Sequence, residues 1–180
     1  MSIKFGLAIA IGGLVAGIGG AAAAEPAKAP DSTASAAMAA KLFAKPEDAP
    51  FVSTPITPPC NMLYGTRGDP SKEAATFLVR MTSGCIVSWH WHHATEEVVM
   101  LKGTAVAQMK DGKPITLRAA SYSQLPAMHV HRFRCASKTP CFVFVVGDAP
   151  FDINYVSDDG KPLTFTESQA IIDKVGHAGW

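Results

Sequence analysis

The stretch from Gly84 to Gly103, GCIVSWHWHHATEEVVMLKG, constrains this chain most, because it spaces His90, His92 and Glu96 to suit one metal ion inside a β-barrel. Side chains of a strand alternate between its faces, so His90 and His92 point one way and Trp89 and Trp91 the other. Ala94 and Thr95 fit a short turn. Glu96 then opens the apolar run Val98 to Leu101, which reads as the next strand and ends at Gly103. Two imidazoles and a carboxylate are thereby returned to one place.

Short β signals surround this stretch: Phe77 to Met81, Ile86 to His92, Glu97 to Leu101, Ala105 to Met109, Ile115 to Leu117, Ser121 to Leu125, Val130 to Arg134, Phe142 to Val146 and Ile153 to Val156. Asp111-Gly112, between Lys110 and Lys113, suits the positive φ of a hairpin turn. Many short strands with turns between them predict an all-β jelly roll. Beyond them Thr166, Glu167, Ser168 and Gln169 match a capping box ahead of Ile171 and Ile172, which predicts a short C-terminal helix.

A second segment, Gln124 to Cys135, supplies His131. Together the two segments resemble the two motifs of the cupin superfamily. The first motif is Gly, five residues, His-x-His, three or four residues, Glu, six residues, Gly; it is met throughout by Gly84, His90, His92, Glu96 and Gly103. In the second motif Pro126 and His131 match, while Ala120, Met128 and Cys135 stand in place of two glycines and an asparagine. Those replacements bear on the loop before His131, since Met takes a positive φ less cheaply than Gly. Phe77 to Arg80 and GDAPFDINYV, Gly147 to Val156, extend the likeness to small exported single-barrel bacterial cupins. The resemblance implies a double-stranded β-helix, the cupin barrel. It also implies a centre of His90, His92, Glu96 and His131 holding one divalent transition-metal ion: Fe, Mn, Zn or Cu.

The N-terminus reads as a leader. Lys4 precedes an apolar, small-residue run from Phe5 to Gly20, and Ala22-Ala23-Ala24 before Glu25 forms an A-x-A cleavage site. The expected organisation is therefore a signal peptide over residues 1–24, an Ala/Pro-rich tether over 25–59 with a short helix at Ser35 to Ala44, and the barrel with its helix over 60–180. A periplasmic or secreted protein follows, with no stable membrane insertion after cleavage. The chain has 16 Lys and Arg against 15 Asp and Glu, and Lys4 is the only charged residue of the leader. The cleaved protein is thus neutral and offers no electrostatic footprint for nucleic acid.

Four cysteines in an exported chain permit disulfides. Cys135 and Cys141 flank what reads as a hairpin connection and are the favoured pair; Cys60 with Cys85 is the other. His93 is expected to point away from the site, Glu97 to be solvated, and His129 to lie in loop, outside the ligand set. Tyr122 and Gln124 are candidate lining residues by alternation. The expected partner is a small oxygen-bearing molecule, and a homodimer is compatible with the sequence. Two functions follow: a metal-dependent enzyme (oxygenase, isomerase or lyase, with a dioxygenase favoured) or a non-catalytic metal- or ligand-binding module. No catalytic residue is singled out.

Overall fold

The computed structural model describes residues 45–176, so the expected leader and the helix at Ser35 to Ala44 lie outside the described residues. The alternating segments form strands β1 (Val52–Ser53), β2 (Asn61–Arg67), β3 (Ala75–Met81), β4 (Ile86–Trp91), β5 (Glu96–Lys102), β6 (Thr104–Met109), β7 (Ile115–Arg118), β8 (Tyr122–Leu125), β9 (His131–Cys135), β10 (Cys141–Gly147) and β11 (Asn154–Tyr155). They make two antiparallel sheets, ordered β1-β2-β3-β10-β5-β8 and β11-β4-β9-β6-β7. One apolar core joins the sheets, with Phe77, Val98 and Val143 from the first and Val87, Leu117 and Tyr155 from the second. This is the all-β jelly roll that the strand pattern predicts.

β1 and β2 were not anticipated from the strand pattern, and β1 extends the sheet to Val52. β2 pairs with β3 from Asn61↔Met81 to Tyr64↔Leu78, then slips register between Gly65 and Arg67. Its polar second half, Gly65-Thr66-Arg67, hides the period-2 signal.

The C-terminal helix, α1, spans Phe165–Val175. Its capping box is Thr164 with Glu167, not Thr166 with Gln169. Glu167 N–H donates to Thr164 Oγ1 at 3.2 Å, and Thr164 N–H donates to Glu167 Oε2 at 2.7 Å. Both tetrapeptides satisfy the pattern. Tertiary pairing decides between them, because Val156 bridges Pro162 and Leu163 N–H bonds Tyr155 O, holding the chain extended until Thr164. The helix side chains Ile171, Ile172 and Val175 face a crevice with Ile86 and Trp89 of β4.

Two disulfides, Cys60–Cys85 and Cys135–Cys141, tie one end of the barrel. Cys135 N–H also bonds Cys85 O, so both bridges meet where β4 and β9 adjoin. Gly103 turns the chain here at φ +89, and a Cβ on it would lie 3.0 Å from Cys141 Cα. That contact, besides the left-handed backbone, excludes a larger residue.

Candidate metal centre

A β-bulge in β4 aims the histidines. Ile86 and Val87 pair with Arg134 and Phe133, but the next pair is His90↔His131, so β4 spends three residues where β9 spends two. The extra residue shifts the phase of alternation. Val87, His90 and His92 therefore all line the interior, while Trp89 lies outside, its Nε1–H donating to Asp158 at 2.7 Å and its ring under Lys110 and Arg132. An unbulged strand with Val87 inward would put both tryptophans inside and both imidazoles out.

His90, His92 and His131 are buried, and one ring nitrogen of each lies within 4.8 Å of the others. Glu96 opens β5 at the same end, also buried, with Oε2 at 3.3 Å from His92 Nε2 and 3.9 Å from His131 Nε2. The structure thus brings together all four residues read from the sequence. Each imidazole is oriented by a backbone carbonyl: His90 Nδ1–H donates to Ser88 O at 2.6 Å, His131 Nδ1–H to His129 O at 2.9 Å, and His92 Nδ1–H to Asp152 O. A carbonyl only accepts, so the proton sits on Nδ1 and Nε2 is left with its lone pair. Three Nε2 lone pairs beside a buried carboxylate fit a divalent transition metal of tetrahedral or higher coordination.

Burial pushes the His90 pKa well below the ordinary imidazole value, helped by His131 and His92, and burial likewise lowers His131 to about 4. Burial works against the charged forms of His92 and Glu96 too, yet their mutual attraction prevails: the His92 pKa is raised and that of Glu96 lowered. Of the three imidazoles, His92 is the one that holds a second proton most readily when no metal is bound.

Asp152 holds the loop behind His92. Its carboxylate accepts from His93 N–H at 2.9 Å, from His93 Nδ1–H at 2.6 Å and from Asn154 Nδ2–H at 2.6 Å. His93 thus points outward, as expected, and His129 is exposed and contributes its carbonyl. Nothing in the sequence marked Asp152. Tyr122 and Gln124 are exposed and do not line the cavity; β8 turns Leu125 inward instead. The error is one of phase, since period-2 alternation leaves the choice of face open.

The loop before His131 keeps the shape that glycines would give it. Ala120 takes φ +70 and Met128 φ +62. Met128 N–H donates to His92 O at 2.8 Å, tying this loop to β4.

Fold and site together define a two-sheet antiparallel barrel with a buried three-histidine cluster able to hold a metal ion. By sequence, residues 77–147 match the family model of the cupin domain. Among solved structures it is similar to the DMSP lyase DddQ from Ruegeria pomeroyi, at 22% identity over 57% of each chain and a TM-score of 0.49. It thus spans little more than half of that lyase. It is also similar to KdgF from a Halomonas species (11% identity, 58% of this chain and 90% of that one, TM-score 0.47). A third is an uncharacterised conserved protein with a double-stranded β-helix domain from Klebsiella pneumoniae (15%, 64% and 97%, TM-score 0.49). No curated protein matches the sequence. Among the described residues no helix is long and apolar enough to cross a membrane.

Proposed function

We propose that this domain is a metal-dependent enzyme of oxygenase type, in which His90, His92, Glu96 and His131 hold one divalent transition-metal ion beside a small oxygen-bearing substrate. The observation that carries it is the set of three Nδ1–H to carbonyl bonds, which frees three Nε2 lone pairs next to Glu96 inside a cavity of about 70 Å³. An ion that prefers six ligands and is held by these four keeps positions open for exchange and supplies Lewis-acid or redox chemistry there. The barrel's own part is to orient four donors on strands, exclude water with apolar walls and admit only a small substrate. Among the described residues, the only polar cavity-lining side chains besides those four are Thr57 and Asn61. The lack of a separate acid or base weighs against lyase and isomerase routes that need one.

Elemental analysis of protein purified from its own compartment, without nickel columns, is the first test, followed by oxygen uptake with small diketone, phenolic and sugar-acid substrates. Iron or manganese with oxygen uptake supports the enzyme. Zinc or copper without turnover supports the second reading, a non-catalytic binding module, which the tightness of the cavity favours. Calcium, magnesium or no metal overturns the centre.

We further infer, from the leader-like N-terminus, that the protein works outside the cytoplasm. The two disulfides support an oxidising compartment. Intact mass from the periplasmic fraction should correspond to a chain beginning at Glu25; a full-length chain in membranes would overturn it.

A further inference from the structure

Apart from the metal-type cluster, the cavity carries a buried polar group with nothing to bond. Asn61 is 8% exposed and lines the cavity, and its Oδ1 has no hydrogen-bond partner. Its backbone is fixed. Asn61 N–H donates to Pro58 O at 2.8 Å, Asn61 O accepts from Thr57 Oγ1 at 3.0 Å, and the preceding Cys60 is bonded to Cys85. A buried amide oxygen left without a donor destabilises a fold, and an apolar side chain of similar size avoids that cost. A fold that keeps such a group meets it with a partner outside its own bonding, an ordered water or a ligand that displaces one.

The position of Asn61 says what that partner is. The histidines and Glu96 occupy one end of the barrel, and Asn61 belongs to the other, beside the disulfides. Leu63, Val79, Val87, Val98, Phe133 and Val143 wall the space between. Tyr155 connects the two ends: its ring centre is 6.0 Å from that of His90, and its hydroxyl donates to Ile56 O, next to Thr57, at 2.9 Å. No charged side chain lines the Asn61 end. A charged tail would be buried unpaired there.

We propose that Asn61 recognises the far end of the ligand. That ligand is a short molecule with an oxygen-bearing head at the metal centre, an apolar middle, and a tail bearing an uncharged donor, a hydroxyl or amide N–H, that bonds Oδ1. The head assignment rests on the metal-centre reading above; the tail assignment rests on Asn61 alone.

The test uses the cobalt(II)-loaded protein, whose visible spectrum reports binding at the ion. Probes are acetate, the unbranched carboxylates from propanoate to hexanoate, their terminal hydroxy derivatives, and succinate. At one chain length the hydroxy acid should bind about tenfold tighter than the plain acid, the order expected for satisfying a buried acceptor. Asn61→Leu and Asn61→Ala should abolish that preference and leave acetate affinity unchanged, and succinate should bind more weakly than the preferred hydroxy acid. A readout without ligand accompanies this: Asn61→Leu should raise Tm, because it removes an unbonded buried oxygen. Acetate binding without a hydroxyl preference, a preference that survives in both variants, or a fall in Tm for both, overturns the tail assignment alone. Failure of cobalt to bind, or of acetate to perturb its spectrum, overturns the metal centre and this proposal with it.

Discussion

Each of the four clustered side chains does a separable job, and single substitutions distinguish them. His90→Ala or His131→Ala removes an Nε2 donor. Metal content should fall well below one per chain, and the metal-dependent rise in Tm should vanish, because an ion that binds only the folded form stabilises it. Acid should act through His92. Its raised pKa means the proton must leave before the ion binds, so affinity is full above that pKa and falls by about tenfold per pH unit below it. His90 and His131, with lowered pKa values, join only in stronger acid. In the metal-free protein the His92–Glu96 pair works in the opposite sense at its two limits. The raised His92 contributes stability that is lost as pH rises through its pKa, and the lowered Glu96 contributes stability that is lost as pH falls through its own. Calorimetric metal titration across pH checks the first statement, and apo-protein melting across pH the second. Ala120 and Met128 offer a contrast, since left-handed backbone costs a side chain about 1–2 kcal/mol. Met128→Gly gives back part of that gain, about 0.4–1 kcal/mol, in unfolded-chain entropy. It should therefore stabilise by about 0.5–1 kcal/mol in urea melts.

At the scale of elements, the first motif was legible because two strands and a turn leave a plain record in the spacing of His90, His92 and Glu96. The means by which it works was not. The bulge in β4 has no residue signature, yet it lets Val87 and His90 share a face. The junction between β10 and β11 is equally silent: Asp152 lies in irregular chain, and its three accepted hydrogen bonds appear only once His93 and Asn154 are placed around it. The Asp152 carbonyl sets the tautomer of His92, so loosening this loop should loosen the ion. Asp152→Ala keeps that carbonyl but frees the loop that carries it, so metal affinity is expected to fall by less than the roughly 10–100-fold that losing an orienting partner outright costs. Competition against a chelator measures it, with Glu97→Ala, an exposed residue of β5, as the unaffected control. The misplaced helix cap, two residues late, has the same origin as the misplaced Tyr122 and Gln124. A local pattern that fits twice is resolved by pairing elsewhere in the chain.

Over the whole molecule, the barrel is asymmetric along its length. The bond Cys60–Cys85 closes a separation of 25 residues and Cys135–Cys141 one of 6. Loop-closure entropy gives them roughly 3–4 and about 2 kcal/mol respectively. Urea melts with and without reductant should show a loss of that order, and the single Cys60 variant should lose more than the single Cys141 variant. Both ties lie at the end away from the histidines. The end that holds the ligand donors is closed instead by hydrogen bonds from Met128 to His92 and from His92 and His93 to Asp152, and the first of these runs through a backbone already under strain. Motion is thereby partitioned. Amide exchange should be slow around the sulfur bridges and fast over residues 126–130 and 150–153, so that traffic into the barrel follows the brief local opening of this rim while the base stays shut.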